Sequence, residues 1–143
     1  MSRAMLATVL HRLEDAPAAG NNIFDDVAGG AWYADAVAWA NSVGIVQGTD
    51  RGFEPDKPVT REQIAVMLYR YAKLIGLDTA DRTELGGFTD SGDTSDWAKE
   101  AMRWAVSAGL FRGNDDGSLN PKGNATRAEV AALLMRMVGL IVK

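Results

Sequence analysis

Three arginines carry the first chemical signal in this sequence. Arg3, Arg61 and Arg127 each follow a hydroxyl residue, Ser2, Thr60 and Thr126, that opens an apolar stretch. This spacing puts a guanidinium in the first turn of a helix, where the helix dipole opposes a cation by roughly 0.3–1 kcal/mol when exposed. A helix start beside a guanidinium is also a good anion site. Two anions satisfy it, an Asp or Glu of a neighbouring repeat or an acidic ligand, and charge logic alone favours the internal carboxylate.

The elements that hold these arginines read as three copies of one helix, beginning near residues 2, 60 and 126. Ser2, Thr60 and Thr126 are N-cap residues, and Gln63 and Glu129 stand where a side chain closes a capping box, whereas Met5 cannot. The pairs Met1 with Leu6, Val59 with Ile64, and Ala125 with Val130 have staple spacing. Beyond the caps run three apolar stripes at helical spacing: Leu6, Val9, Leu10 and Leu13; Ile64, Met67, Leu68 and Tyr71; Val130, Leu133, Leu134 and Met137. The expectation is a three-helix bundle.

Composition narrows the classes. A chain of 143 residues is one domain or a few small repeats, and 47% hydrophobic residues suffice for a modest core. A net charge of −4 argues against a nucleic-acid surface, though local charge can still serve an acidic ligand. There is no cysteine, hence no disulfide and no thiolate metal site. No apolar run is long enough for a membrane span, and the N-terminus reads as an amphipathic helix rather than a signal peptide.

Between the capped helices a second pattern occurs twice. Phe24-Asp25-Asp26 matches Phe88-Thr89-Asp90, and Trp32 and Trp39 match Trp97 and Trp104 at equal spacing. Gly44-Ile45-Val46-Gln47-Gly48 matches Gly109-Leu110-Phe111-Arg112-Gly113, and Pro55 and Pro121 precede Thr60 and Thr126 by the same interval. Trp32, Ala36, Trp39, Ala40 and Val43 share one helical face, with Gly44 as the C′ residue. Residues 14–22 and 78–87 read as linkers. A self-match at about 65 residues is an internal repeat.

This unit resembles the S-layer homology (SLH) domain: F-x-D, a W-x-x-x-A-(I/V) helix, G-(I/L)-x-x-G, a G-x-F-x-P turn and a T-R-A-E helix. Residues 24–75 and 88–142 resemble complete modules, and residues 1–14 the back half of another, within one domain spanning 1–143. The resemblance implies an all-α, pseudo-threefold spindle with a central three-helix bundle and helical prongs, the first prong missing. It implies non-covalent anchoring to the bacterial cell wall, without catalysis, through grooves that bind an acidic secondary cell wall polymer, often bearing pyruvate ketals. The expected location is the cell surface or S-layer. In that picture Arg3, Arg61 and Arg127 meet the anionic glycan, with the groove between the two complete units the safest.

Other residues join the candidate surface from their own chemistry. Trp32 and Trp97 either stack on sugar rings or pack inward, while Trp39 and Trp104 pack inward. Gln47 and Arg112, beside Gly48 and Gly113, lie on loops that reach a groove. Asp26 and Asp90 are expected to cap or brace the Trp helix rather than bind a ligand. Asn114-Asp115-Asp116-Gly117 lacks the alternating carboxylates and distal Glu of a calcium loop, and His11 is the only histidine, so neither a metal nor a cofactor is expected. The alternative reading is a helical interaction module whose arginines are structural and whose open flank forms a homo-oligomer. Neither reading involves nucleic acid or membrane insertion.

Overall fold

The computed structural model describes residues 1–142, which are helical: five α-helices and three short 3-10 turns, with no strand among the described residues. The helices are α1 (Arg3–Leu13), α2 (Ala34–Ser42), α3 (Arg61–Leu74), α4 (Lys99–Ser107) and α5 (Arg127–Ile141). The chain divides into two compact units, the first Met1–Val59 and the second beginning at Thr60. The cut falls inside the sequence module 24–75.

The capped starts form from the hydroxyl residues as their spacing predicts. Ser2 Oγ accepts the Met5 N–H at 3.1 Å, and Thr60 Oγ1 accepts that of Gln63 at 3.3 Å. Gln63 Oε1 in return accepts the Thr60 N–H at 3.0 Å, completing the capping box. Thr126 Oγ1 accepts the Glu129 N–H at 3.1 Å, but Glu129 does not close the expected box, because its carboxylate is paired with Arg61.

In the first unit α1 packs on α2, with Leu6 and Leu10 fully buried and His11 tilted against Trp39 at 5.2 Å. The first turn of α1 has orphan N–H groups, and the segment before the next capped helix receives them: Arg3 donates to Lys57 O and Ala4 to Pro55 O, both at 3.0 Å. The second unit repeats this device. There α3 packs on α4, Tyr69 meets Trp104 at 5.6 Å, Arg61 donates to Gly123 O at 3.0 Å and Glu62 to Pro121 O at 2.8 Å. The packing is therefore staggered against the sequence repeat: each of α1 and α3 docks on the Trp helix and Pro segment of the module that follows it.

Two small devices hold each of these assemblies. Asp26 accepts the N–H groups of Phe53 and Glu54 at 3.0 and 2.7 Å, and Asp90 those of Leu119 and Asn120, both at 2.8 Å. Glu54 and Asn120 sit at positive φ, 58° and 51°, so the carboxylates clamp a strained turn. Neither aspartate caps or braces the Trp helix as its position suggests; both brace the Pro-segment loop instead. Gly48 and Gly113 have φ of +79° and +81°, and a Cβ there would lie 2.5 and 2.8 Å from the rings of Phe24 and Phe88. Only glycine lets the ring of the Phe-Asp segment close over the loop.

Candidate anion-binding cleft

In the second unit a cleft of about 280 Å³ opens between the start of α3, the loop after α4 and one face of α5. Three guanidinium-bearing residues line it, Arg61, Arg112 and Arg136, together with a single carboxylate, Glu129. Leu110, Phe111 and Leu133 form its apolar floor. Arg61 is held at the first turn of α3, its side chain only 14% exposed, and donates from Nη2 to Glu129 Oε2. Arg136 donates from Nη1 to the Leu110 carbonyl at 2.8 Å, which fixes its guanidinium against the loop. Arg112 is exposed on that loop and has no partner among the described residues. Three cations against one anion make the cleft locally basic on a chain of net charge −4.

The candidate residues divide sharply. Arg61, Arg112 and Gly113 are brought together here. Gly113 and Gly48 have a clear structural reason, the approach of Phe88 and Phe24. Arg127 is exposed at the start of α5 and does not line this cleft. Gln47 is exposed on its loop in the first unit.

Arg3 departs from equivalence among the three arginines. It is 7% exposed, its Nε donates to Phe53 O at 2.9 Å, and its guanidinium lies 4.9 Å over the Phe53 ring. Burial lowers its pKa, and the charges of Glu54 and Asp26 act in the opposite sense. Arg3 is thus satisfied inside its own unit rather than presented to a ligand.

The four tryptophans also divide. Trp39 and Trp104 are buried, as their helical positions predict. Trp32 and Trp97 are 64% and 60% exposed. Trp32 does not share the buried face of α2, because the chain turns before the helix begins at Ala34 and leaves the indole outside, edge-on to Tyr33 at 5.1 Å. Trp97 likewise lies in a 3-10 turn ahead of α4.

Two cleft residues were not singled out from the sequence. Its spacing from Thr126 assigns Glu129 to its own cap, and nothing local to Arg136 marks it out. A signal for Arg136 existed: Arg12, Arg70 and Arg136 each follow the first-turn arginine by the same interval. Elsewhere the Asp116 carboxylate is engaged by Ser118, which donates from N and Oγ, and no group of three or more potential metal ligands occurs among the described residues. No helix among them is long and apolar enough to cross a membrane.

Comparison with known proteins places the chain. A sequence model of the S-layer homology domain matches residues 23–65 and 87–131. The chain is 33% identical over 131 residues to exoglucanase XynX of Acetivibrio thermocellus, covering 92% of this chain and 12% of that protein. It is 32% identical over 142 residues to the surface-layer 125 kDa protein of Lysinibacillus sphaericus, covering 96% and 12%. It is 28% identical over 145 residues to a cellulosome-anchoring protein of A. thermocellus, covering 95% and 31%. The chain thus corresponds to a minor part of each relative's length. With both repeats matched and the aromatic, glycine and capped-arginine elements in place, the chain belongs to the S-layer homology domain family.

Proposed function

We propose that this chain is a non-catalytic anchoring module that attaches to the bacterial cell wall at the cell surface by binding an acidic secondary wall polymer. The observation that carries this reading is the cleft in which Arg61, Arg112 and Arg136 converge around one carboxylate. A guanidinium held at a helix start and already carrying a carboxylate is shaped for the acid group of a glycan, including a pyruvate ketal. The exposed Trp32 and Trp97 supply flat apolar faces for sugar rings. Relatives named as a surface-layer protein and a cellulosome-anchoring protein agree with an anchoring role. The test is co-sedimentation with purified Gram-positive walls, intact or stripped of secondary polymer by hydrofluoric acid. Pelleting with intact walls alone is expected; equal pelleting with both refutes polymer recognition.

A second reading, a homo-oligomer, is favoured by one observation. Ala7 of α1 and Ala65 of α3 are fully buried, and at the next turn His11 and Tyr69 meet a tryptophan. The matching residues of α5 are open: Ala131 is exposed and Met135 is 76% exposed. Ala128, Ala131, Met135, Val138 and Val142 form an exposed stripe at alternating three- and four-residue spacing, the seam of a helix pair. In this reading α5 pairs with α5 of a second copy. Light scattering of the wild type and of Met135→Glu decides it: a dimer that becomes a monomer supports pairing, and a monomeric wild type refutes it.

A further inference from the structure

We propose that Glu129 sets the ligand specificity of the cleft, acting as a built-in competitor that holds Arg61 until a stronger anion takes its place and then retreats to its own helix cap. The inference rests on the wall-polymer reading and concerns how that site selects its ligand.

The two capped helices of the second unit supply the argument. In α3 the residue at the third helical position, Gln63, returns its side chain to the Thr60 N–H. In α5 the same position holds Glu129, whose backbone N–H is bound by Thr126 Oγ1 just as Gln63's is by Thr60. Its carboxylate, however, is directed to Arg61, and the Thr126 N–H has no partner among the described residues. Glu129 therefore has two seats. One is occupied, on Arg61; the other is the vacant half of a capping box that Gln63 shows to be sterically ordinary in this repeat.

The asymmetry of burial says which partner moves. The Arg61 side chain is 14% exposed and that of Glu129 is 39% exposed. An unpaired guanidinium so far from water is costly, whereas a half-exposed carboxylate leaves at smaller cost, and more so when a backbone N–H awaits it. A neutral sugar hydroxyl cannot displace a carboxylate from a guanidinium. A carboxylate or phosphate that also reaches Arg112 and Arg136 can, because it gains two cations that Glu129 leaves unpaired with charge. Glu129 thus excludes neutral polymers and admits anionic ones.

Two measurements test this. Wall pelleting of Glu129→Gln, which retains the capping geometry of Gln63 but not the charge, is expected to tighten about two- to fivefold over wild type on intact walls, the range of an exposed ion pair. Unchanged or weaker pelleting overturns the competition. Without any polymer, Arg61→Ala should release the carboxylate to Thr126, shifting its backbone amide downfield and slowing its hydrogen exchange; an unchanged Thr126 amide overturns the second seat. If the wild type fails to pellet with intact walls, the wall reading falls and the competitor role falls with it, while the Thr126 amide still decides whether the carboxylate has two positions. Thermal melts of both variants establish that they are folded.

Discussion

Glu62 grips Ser95 twice: its Oε2 accepts the Ser95 N–H at 2.9 Å and its Oε1 accepts the Ser95 hydroxyl at 2.8 Å. The carboxylate is 4% exposed and ties the first turn of α3 to the turn that leads into α4. Removing it leaves the half-buried Ser95 hydroxyl and amide without their acceptor. Glu62→Ala is therefore expected to cost about 1.5–3 kcal/mol, the range for a hydrogen bond to a charged group. Denaturant unfolding measures this, and a loss within error of zero contradicts the assignment.

Asp26 gives a pH prediction. Desolvation acts to raise its pKa, but the N–H bonds from Phe53 and Glu54 and the charge of Arg3 prevail and hold it below 3.8. A carboxyl depressed by folding contributes stability at pH values above its unfolded pKa of about 3.9, and that contribution disappears as pH falls through the folded value. Asp26→Asn should lower the melting temperature at pH 7 and flatten the decline below about pH 4. Parallel acid limbs in wild type and variant contradict this.

Gly113→Ala should destabilise the second unit. The φ of +81° alone disfavours a Cβ by about 1–2 kcal/mol, and the contact with Phe88 adds to it. Thermal denaturation measures the loss. Because Phe88 must shift, wall binding should weaken in the same variant through the displaced Arg112.

Arg112→Ala should reduce wall pelleting while leaving the melting temperature within about 1 °C, since this exposed side chain lacks a partner among the described residues. Arg61→Ala should reduce both, because it also frees Glu129. Pelleting of the wild type should fall as salt rises from 0.05 to about 0.5 M, and less steeply in Arg112→Ala. Binding that ignores both the substitution and salt contradicts the cleft.

Much of this was legible in the chain because local chemistry decides it. Thr60 with Gln63 fixes a helix start, Trp39 and Trp104 sit at apolar helical positions, and Gly48 and Gly113 punctuate loops. Choices between equivalent local partners were not legible. Glu129 satisfies either its own cap or Arg61, and only the approach of α3's first turn decides. Arg3 and Arg61 read alike in sequence, yet Phe53 covers one and a cleft receives the other. Trp32 lies outside because the helix begins two residues later than its periodicity implies.

The stagger between sequence repeat and packing bears on how such arrays change by recombination. A crossover between Val59 and Thr60 exchanges assemblies whose helix, Trp segment and Asp clamp have already met. A crossover at the edge of the apparent module, near residue 75, separates α3 from α4 and gives each a stranger. Grafts should therefore be tolerated when the cut falls inside the apparent module and rejected when it falls at the module's edge. The stretch inherited as one piece and the stretch that folds as one piece are offset by a helix.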